Sequence, residues 1–313
     1  MRARFHSLCC AALLLAAIPA RAATYYVTIA GLGGEPDYEQ RFTGLARDLD
    51  RIFKGSGSGA HVYTLMGSDA TRAHLTGVLG TVAHDAAPED DFVLVLIGHG
   101  SFDGVEYKFN LPGPDISAGE LASLCDRIPS RRQLIVNTTS SSGGSVAALE
   151  RPGRAIVAAT KSGTEKNATV FARYWVESLQ DPTADTDKNQ AVSALESYEY
   201  AARKTAAFYD SQKRLATEHA VFEDTGKAQP VRAASVESRE GLLLSSFTLL
   251  RSGPAQQQAS DPAKRALVAR KEDLEQKIDV LKYQKAAMDP EEYKTQLTRD
   301  LVDLARVQQE LDK

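Results

Sequence analysis

Six apolar residues in a row, FVLVLI at 92–97, run straight into Gly98-His99-Gly100. A strand with one wet face alternates apolar and polar residues, so an uninterrupted run belongs to a strand covered on both faces. Similar runs recur at 133–137 (QLIVN) and 155–159 (AIVAA), with β-rich segments at 24–30 (TYYVTIA) and 61–66. Between them the period changes. Residues 38–53 set Phe42, Leu45, Leu49 and Phe53 three and four apart, and 70–83 set Leu75 and Leu79 on one face, as amphipathic helices do. Ser117 followed by Glu120 is a capping box that opens a helix over 117–127. Residues 165–225 are rich in Ala and Tyr and read as helical, interrupted by a polar loop at 181–189. Strands alternating with helices predict an α/β fold with a mainly parallel sheet flanked by helices. Ligands of such sheets bind beyond the carboxyl ends of the strands.

The ends of the chain read differently from its middle. Arg2 and Arg4 precede a short apolar stretch at 8–18, and Ala20-Arg21-Ala22 supplies small residues around a cleavage point. This pattern predicts a signal peptide over 1–22 and an exported protein, periplasmic or extracellular, cleaved near Ala22. Cys9 and Cys10 lack the small residues that precede a lipid-attachment site. Cleavage would remove three arginines and no acid, taking the formal charge from −4 to −7 and leaving Cys125 as the remaining cysteine. Neither a disulfide framework nor a nucleic-acid-binding basic field fits those values. Residues 23–250 read as the α/β domain. The segment 251–262 (RSGPAQQQASDP) reads as a linker, with Gly, Pro and three glutamines. From Asp261 onward, 23 of 53 residues are charged and none is glycine. Leu267, Leu274, Ile278 and Leu281, then Leu297, Leu301, Leu304, Val307 and Leu311, follow helical spacing on either side of Pro290. They predict a coiled-coil helical hairpin over 263–313, docked on a protein partner, on a second copy or on the main domain.

Chemistry-bearing residues gather where strands end. His99 lies between two glycines directly after one buried strand, and Asn137-Thr138-Thr139-Ser140-Ser141-Ser142-Gly143-Gly144 follows another. Taken alone, the first reads equally as a structural histidine in a tight turn and the second as a polar loop. Together they set a candidate base and several hydroxyls at neighbouring strand ends.

These segments resemble the legumain-like cysteine peptidases of the caspase-haemoglobinase fold. In that family a buried strand ends in His-Gly, and a second ends in a nucleophile followed by x-Ser-Gly. Residues 30–39, Ala-Gly-Leu-Gly-Gly-Glu-Pro-Asp-Tyr-Glu, are similar to the family's Ala-Gly-x-x-Gly-x-x-Asn-Tyr-Arg segment, and 158–162 match after the fourth strand. The resemblance spans roughly 24–180. It implies acid/base chemistry for His99, an oxyanion hole from the amides of Gly100 and Ser140, and substrate contacts from Tyr38, Glu39 and Ser162. It also implies a peptide or protein ligand. Three positions depart: the family's cysteine falls at Ser140, its asparagine at Asp37 and its arginine at Glu39. Cys125 sits in a predicted helix and reads as core.

A thiol with a pKa of about 8.5 ionises readily, whereas a hydroxyl needs a base at about 2.6–3.2 Å. Serine in a geometry built for cysteine is therefore expected to be nearly inert. The chain then reads as a peptidase homologue without cysteine-peptidase activity, acting in peptide or protein binding or scaffolding. Two alternatives stand beside it. Asp37, His99 and Ser140 could form a serine-type endopeptidase set, or the coiled-coil tail could make this a structural assembly protein.

No cofactor is required by either chemistry. Asp185, Asp187, Asn189, Ser193 and Glu196 occupy positions 1, 3, 5, 9 and 12 of a calcium-loop pattern, with the Ala191 carbonyl at 7. Gln190 stands where the sharp turn wants glycine. The same residues read otherwise as an acidic loop capping a helix. The six histidines lack zinc-ligand spacing.

Overall fold

The computed structural model describes residues 23–56 and 59–313; the expected signal peptide at 1–22 lies outside the described residues. The chain begins β1 (Thr24–Ala30), α1 (Pro36–Lys54), β2 (Ala60–Leu65), α2 (Arg72–Asp85) and β3 (Asp91–Ile97). A small antiparallel unit follows, β4 (Gly100–Phe102), β5 (Tyr107–Phe109) and β6 (Ile116–Ser117), leading into α3 (Ala118–Cys125). Next come β7 (Arg132–Asn137), α4 (Val146–Leu149), β8 (Arg154–Ala158), α5 (Phe171–Ser178), β9 (Ala191–Ser193) and α6 (Ala194–Ser211). The chain continues through β10 (Val221–Glu223), α7 (Leu242–Ser245), β11 (Thr248–Arg251), α8 (Gly253–Ser260), α9 (Arg265–Gln284) and α10 (Pro290–Leu311).

The main sheet runs β10-β8-β7-β3-β1-β2. Its members from β2 to β8 are parallel, and β10 closes the far edge antiparallel to β8. As the apolar run requires, Phe92 to Ile97 are at most 1% exposed. Val93 and Val95 face one layer with Phe42, Leu49 and Phe53 of α1 and Trp175 of α5. Leu94 and Leu96 face the other, with Leu75 and Leu79 of α2 and Leu121 and Cys125 of α3. Cys125 is core, and burial pushes its thiol up to about 12. The capping box forms: Ser117 Oγ accepts from Glu120 N while Glu120 Oε2 accepts from Ser117 N. Charged groups that enter the interior are paired there. Arg154, 1% exposed, donates to Gln133 Oε1, to the Leu149 carbonyl and to Asp126, as a buried cation must.

The structure corrects two boundaries. The stretch 165–225 is not wholly helical, because β9 and β10 interrupt it. A three-residue strand carries no readable period, and β10 exists through its pairing with β8. The expected linker at 251–262 is mostly the helix α8. Two of its glutamines bind protein carbonyls: Gln256 donates to Gly55 O (2.8 Å) and Gln258 to Leu311 O (3.3 Å). The hairpin forms, with Asp289 capping α10 through the amides of Glu291 and Glu292. It lies on the main domain: Arg251 pairs with Glu272, and Tyr283 Oη donates to the Glu240 carbonyl.

Candidate functional site

At the carboxyl ends of β1, β3, β7 and β8, four loops meet. The Gly31 amide donates to Ile97 O and that of Leu32 to Asn110 O, which fastens the β1 loop to the end of β3. Gly33 N donates to Glu39 Oε2 at 3.0 Å. Glu39, expected to face substrate, thus turns its carboxylate back onto its own loop. Asp37 is exposed in the first turn of α1.

His99 is half-buried. Its ring stands edge-on to Tyr38 (4.7 Å) and Phe42 (5.1 Å). Burial holds its pKa below the usual histidine value, and Arg41 adds to this, while a hydrogen bond with the Gly33 backbone and the charge of Glu35 oppose it. The neutral ring is favoured.

Ser140 is 3% exposed. Its Oγ accepts from Gly100 N at 3.1 Å and donates to Gly100 O at 3.0 Å. Among the described residues, no hydrogen bond joins Ser140 to His99 or His99 to Asp37. The serine-type set is therefore unassembled, and the Gly100 amide, expected in an oxyanion hole, already binds the serine hydroxyl. This closeness needs glycine at 100, since a Cβ there would sit 2.6 Å from the Ser140 carbonyl.

The remaining hydroxyls around Ser140 form a buried bed. Asn137 Oδ1 accepts from Thr139 Oγ1 (2.8 Å) and Tyr107 Oη (3.3 Å), and Asn137 Nδ2 donates to Ser145 Oγ (3.0 Å). Ser145 Oγ donates to Ser142 O, and Thr160 Oγ1 accepts from Gly143 N. The serine-rich loop is polar in order to satisfy its own backbone, which fixes how Ser140 is presented. Ser141 takes a left-handed conformation (φ 57°), and its amide donates to Glu165 O at 2.8 Å. Ser162, on the adjacent loop, shares a 2.8 Å contact with Thr164 Oγ1.

The pair His219–Glu165 escapes sequence reading. His219 Nδ1 lies 2.5 Å from Glu165 Oε1, across 54 residues, because β10 returns antiparallel and sets His219 beyond the end of β8. No local pattern marks it.

The acidic loop is folded, and part of it converges. Carboxylate oxygens of Asp185, Asp187 and Glu196 lie within 4.8 Å of one another, a grouping able to hold a divalent cation. Glu196 also completes the capping box of α6 with Ser193 and accepts from Thr186 N. Asn189 Oδ1 accepts from Ala191 N, and Gln190 adopts φ 69° where the pattern wanted glycine. Hence Asn189 and Ser193 serve the loop and the helix cap. Asp187 is exposed at the loop surface, yet the protein packed around its carboxylate partly desolvates it and holds its pKa above the usual value; the Asn189 amide opposes this, and nearby Glu196 and Asp185 reinforce it. Asp185 Oδ1 is buried without a hydrogen-bond partner.

No protein-family model matches this chain, and no curated protein matches it in sequence. Comparison with solved structures finds similarity at low identity. The Drosophila initiator caspase Dronc is 12% identical, over 68% of this chain and 82% of that one, with a TM-score of 0.42. A Geobacter sulfurreducens protein is 12% identical over 66% and 94%, with a TM-score of 0.42. Caspase-1 from Spodoptera frugiperda is 11% identical over 65% and 87%, with a TM-score of 0.46. The architecture itself is a mainly parallel sheet between helices, extended by a C-terminal helical hairpin.

Proposed function

We propose that this protein is an exported peptide-binding homologue of the peptidase fold that lacks cysteine-peptidase chemistry, holding polypeptide segments or partner proteins across the carboxyl-end rim. The observation that carries this reading is the closed exchange between Ser140 Oγ and both backbone polar atoms of Gly100. A hydroxyl attacks only when a base within about 2.6–3.2 Å takes its proton. Here that proton points at a carbonyl, and the candidate imidazole is held between Tyr38 and Phe42. What supports binding is the rim itself, with Tyr38 in the first turn of α1 and His99, Ser140 and Ser162 on the loops beside it. The test incubates the 23–313 chain with a peptide library and reads cleavage by mass spectrometry and binding by fluorescence polarisation. Binding without cleavage is the expected result. Cleavage abolished by Ser140→Ala would make the protein a serine-type endopeptidase and overturn the reading. No peptide binding, with association through 263–313 instead, would leave a structural assembly role. In that helical pair Leu301 and Val302 remain 47% and 44% exposed.

A second reading concerns calcium, favoured by the unpartnered Asp185 Oδ1 beside Asp187 and Glu196. A ligand bound only by the folded state raises its stability. Melting temperature should rise in millimolar calcium, and the rise should vanish in Asp185→Asn with Asp187→Asn. A chain that melts identically with and without the ion removes this reading.

A further inference from the structure

The rim carries opposite charge at its two ends. At the β1 end, Glu35, Asp37 and Glu39 stand against Arg41. Glu39 is bound to the Gly33 amide, whereas Glu35 and Asp37 are exposed. The partial positive charge of the α1 N-terminus, about half a unit, does not cancel two free carboxylates.

At the β10 end, the loops 159–170 and 212–220 hold Lys161, Lys166, Lys213 and Arg214 against Glu165 and Glu218. Both acids are engaged internally. Glu218, 3% exposed, accepts from the amides of Val170 and Phe171 and from Tyr209 Oη. Glu165 lies against His219 Nδ1, accepts from the amides of Lys161 and His219, and has Lys161 Nζ at 3.7 Å. These contacts join the two loops into one surface. Lys166, Lys213 and Arg214 are exposed on it and form no ion pair among the described residues. Leu215, next in the chain, is 91% exposed.

From β1 to β10 there are four inter-strand steps, or about 19 Å at about 4.8 Å each, which an extended chain covers in about six residues. That separation exceeds the Debye length of about 8 Å in physiological salt, so each end responds to its own charge. We propose that the rim is a polarised site for an extended dipolar peptide. A basic side chain sits by Glu35 and Asp37, and an acidic one, about six residues along, sits by Lys166, Lys213 and Arg214. This rests on the peptide-binding reading and specifies which peptide.

The experiment uses the 23–313 chain and four peptides with blocked termini, a neutral dye and one shared apolar core. Their end residues are Lys/Glu, Lys/Lys, Glu/Glu and Gln/Gln, about six positions apart. By fluorescence polarisation at low salt, Lys/Glu should bind about fivefold tighter than Gln/Gln, the scale of two exposed ion pairs. That advantage should shrink at 0.5 M salt, roughly where the Debye length falls toward 3 Å. The triple variant K166E/K213E/R214E, altered only at exposed loop positions, should instead prefer Lys/Lys. Equal affinity for all four peptides overturns the polarity and leaves peptide binding standing. A triple variant that still prefers Lys/Glu also overturns it. Failure of every peptide to bind overturns both.

Discussion

At the end of β7 and in the loop that follows it, residues 137–142 and Ser145 are at most 3% exposed, and apart from Ser141 each of their side chains has a hydrogen-bond partner. Where α9 lies on β9 and β11, carboxylates are also withdrawn from water, with poorer compensation. Glu275 is half-buried beside Asp187, Glu272 and Asp279; its loss of water first, and then those acids, push its pKa up to about 7 against the opposing charge of Lys271, whose Nζ lies 3.7 Å away. Neutral hydroxyls and amides cost little to bury once paired, and they fix shape. A carboxylate buried among carboxylates holds only while it keeps a proton. The first region presents a rigid surface, and the second is a seam whose strength depends on pH.

The sharpest way to break this contrast is to remove the centre of the hydroxyl bed. Asn137→Leu leaves the Thr139 amide and part of the Tyr107–Thr139–Ser145 network unpaired in a site that water does not reach. A loss of about 2–3 kcal/mol is expected, which calorimetry would record as a melting temperature lower by roughly 5–10 °C. An unchanged melt would mean that the bed does not hold the loop.

The seam is tested by pH. Glu275 has a folded pKa raised to about 7 from 4.5, so the docked state binds more protons than the undocked one. The carboxyl is protonated in both states below about 4.5, where it imposes no penalty. The penalty grows as pH rises through the window to about 7, and docking weakens by about 2 kcal/mol once solvent screening is allowed for. The protection of α9 amides, corrected for the intrinsic rise of exchange with pH, should fall between about pH 4.5 and 7, and Glu275→Gln should flatten that profile. Protection that grows with rising pH would reverse the sign of the argument.

The two regions were unequally legible from residues alone. Buried strands announce themselves because burial on both faces leaves an uninterrupted apolar run, as at 92–97. The α3 capping box and the Pro290 helix start are local chemistry and could be read locally. His99 and Ser140 could be set at neighbouring strand ends because both follow such runs. What each side chain binds there depends on tertiary approach: β4 brings the Gly100 backbone onto Ser140, and no spacing in the sequence records that. The same holds for His219 and Glu165, and for Glu275, whose acidic neighbour Asp187 arrives from a loop far earlier in the chain. The segment of α8 reads as a linker because glutamines that bind protein carbonyls look, in sequence, like glutamines in water.

A smaller effect is expected where the two kinds of burial meet, at Ser140. Ser140→Ala removes one donor and one acceptor at once, yet Gly100, the group left behind, is only half-buried. Water can replace the lost partner there, as it cannot beneath Asn137, so the cost should be about 1 kcal/mol. Peptide binding should persist, because the Cβ and the surrounding bed stay in place. Ser140→Cys sharpens the point. It sets a thiol beside Gly100, but His99, held toward its neutral form, supplies no cation to draw that thiol to thiolate, so this variant should gain no peptidase activity against the library that the parent leaves intact. Cleavage by Ser140→Cys would show that His99 reaches the nucleophile position during turnover, and the rigidity ascribed to this loop would have to be given up.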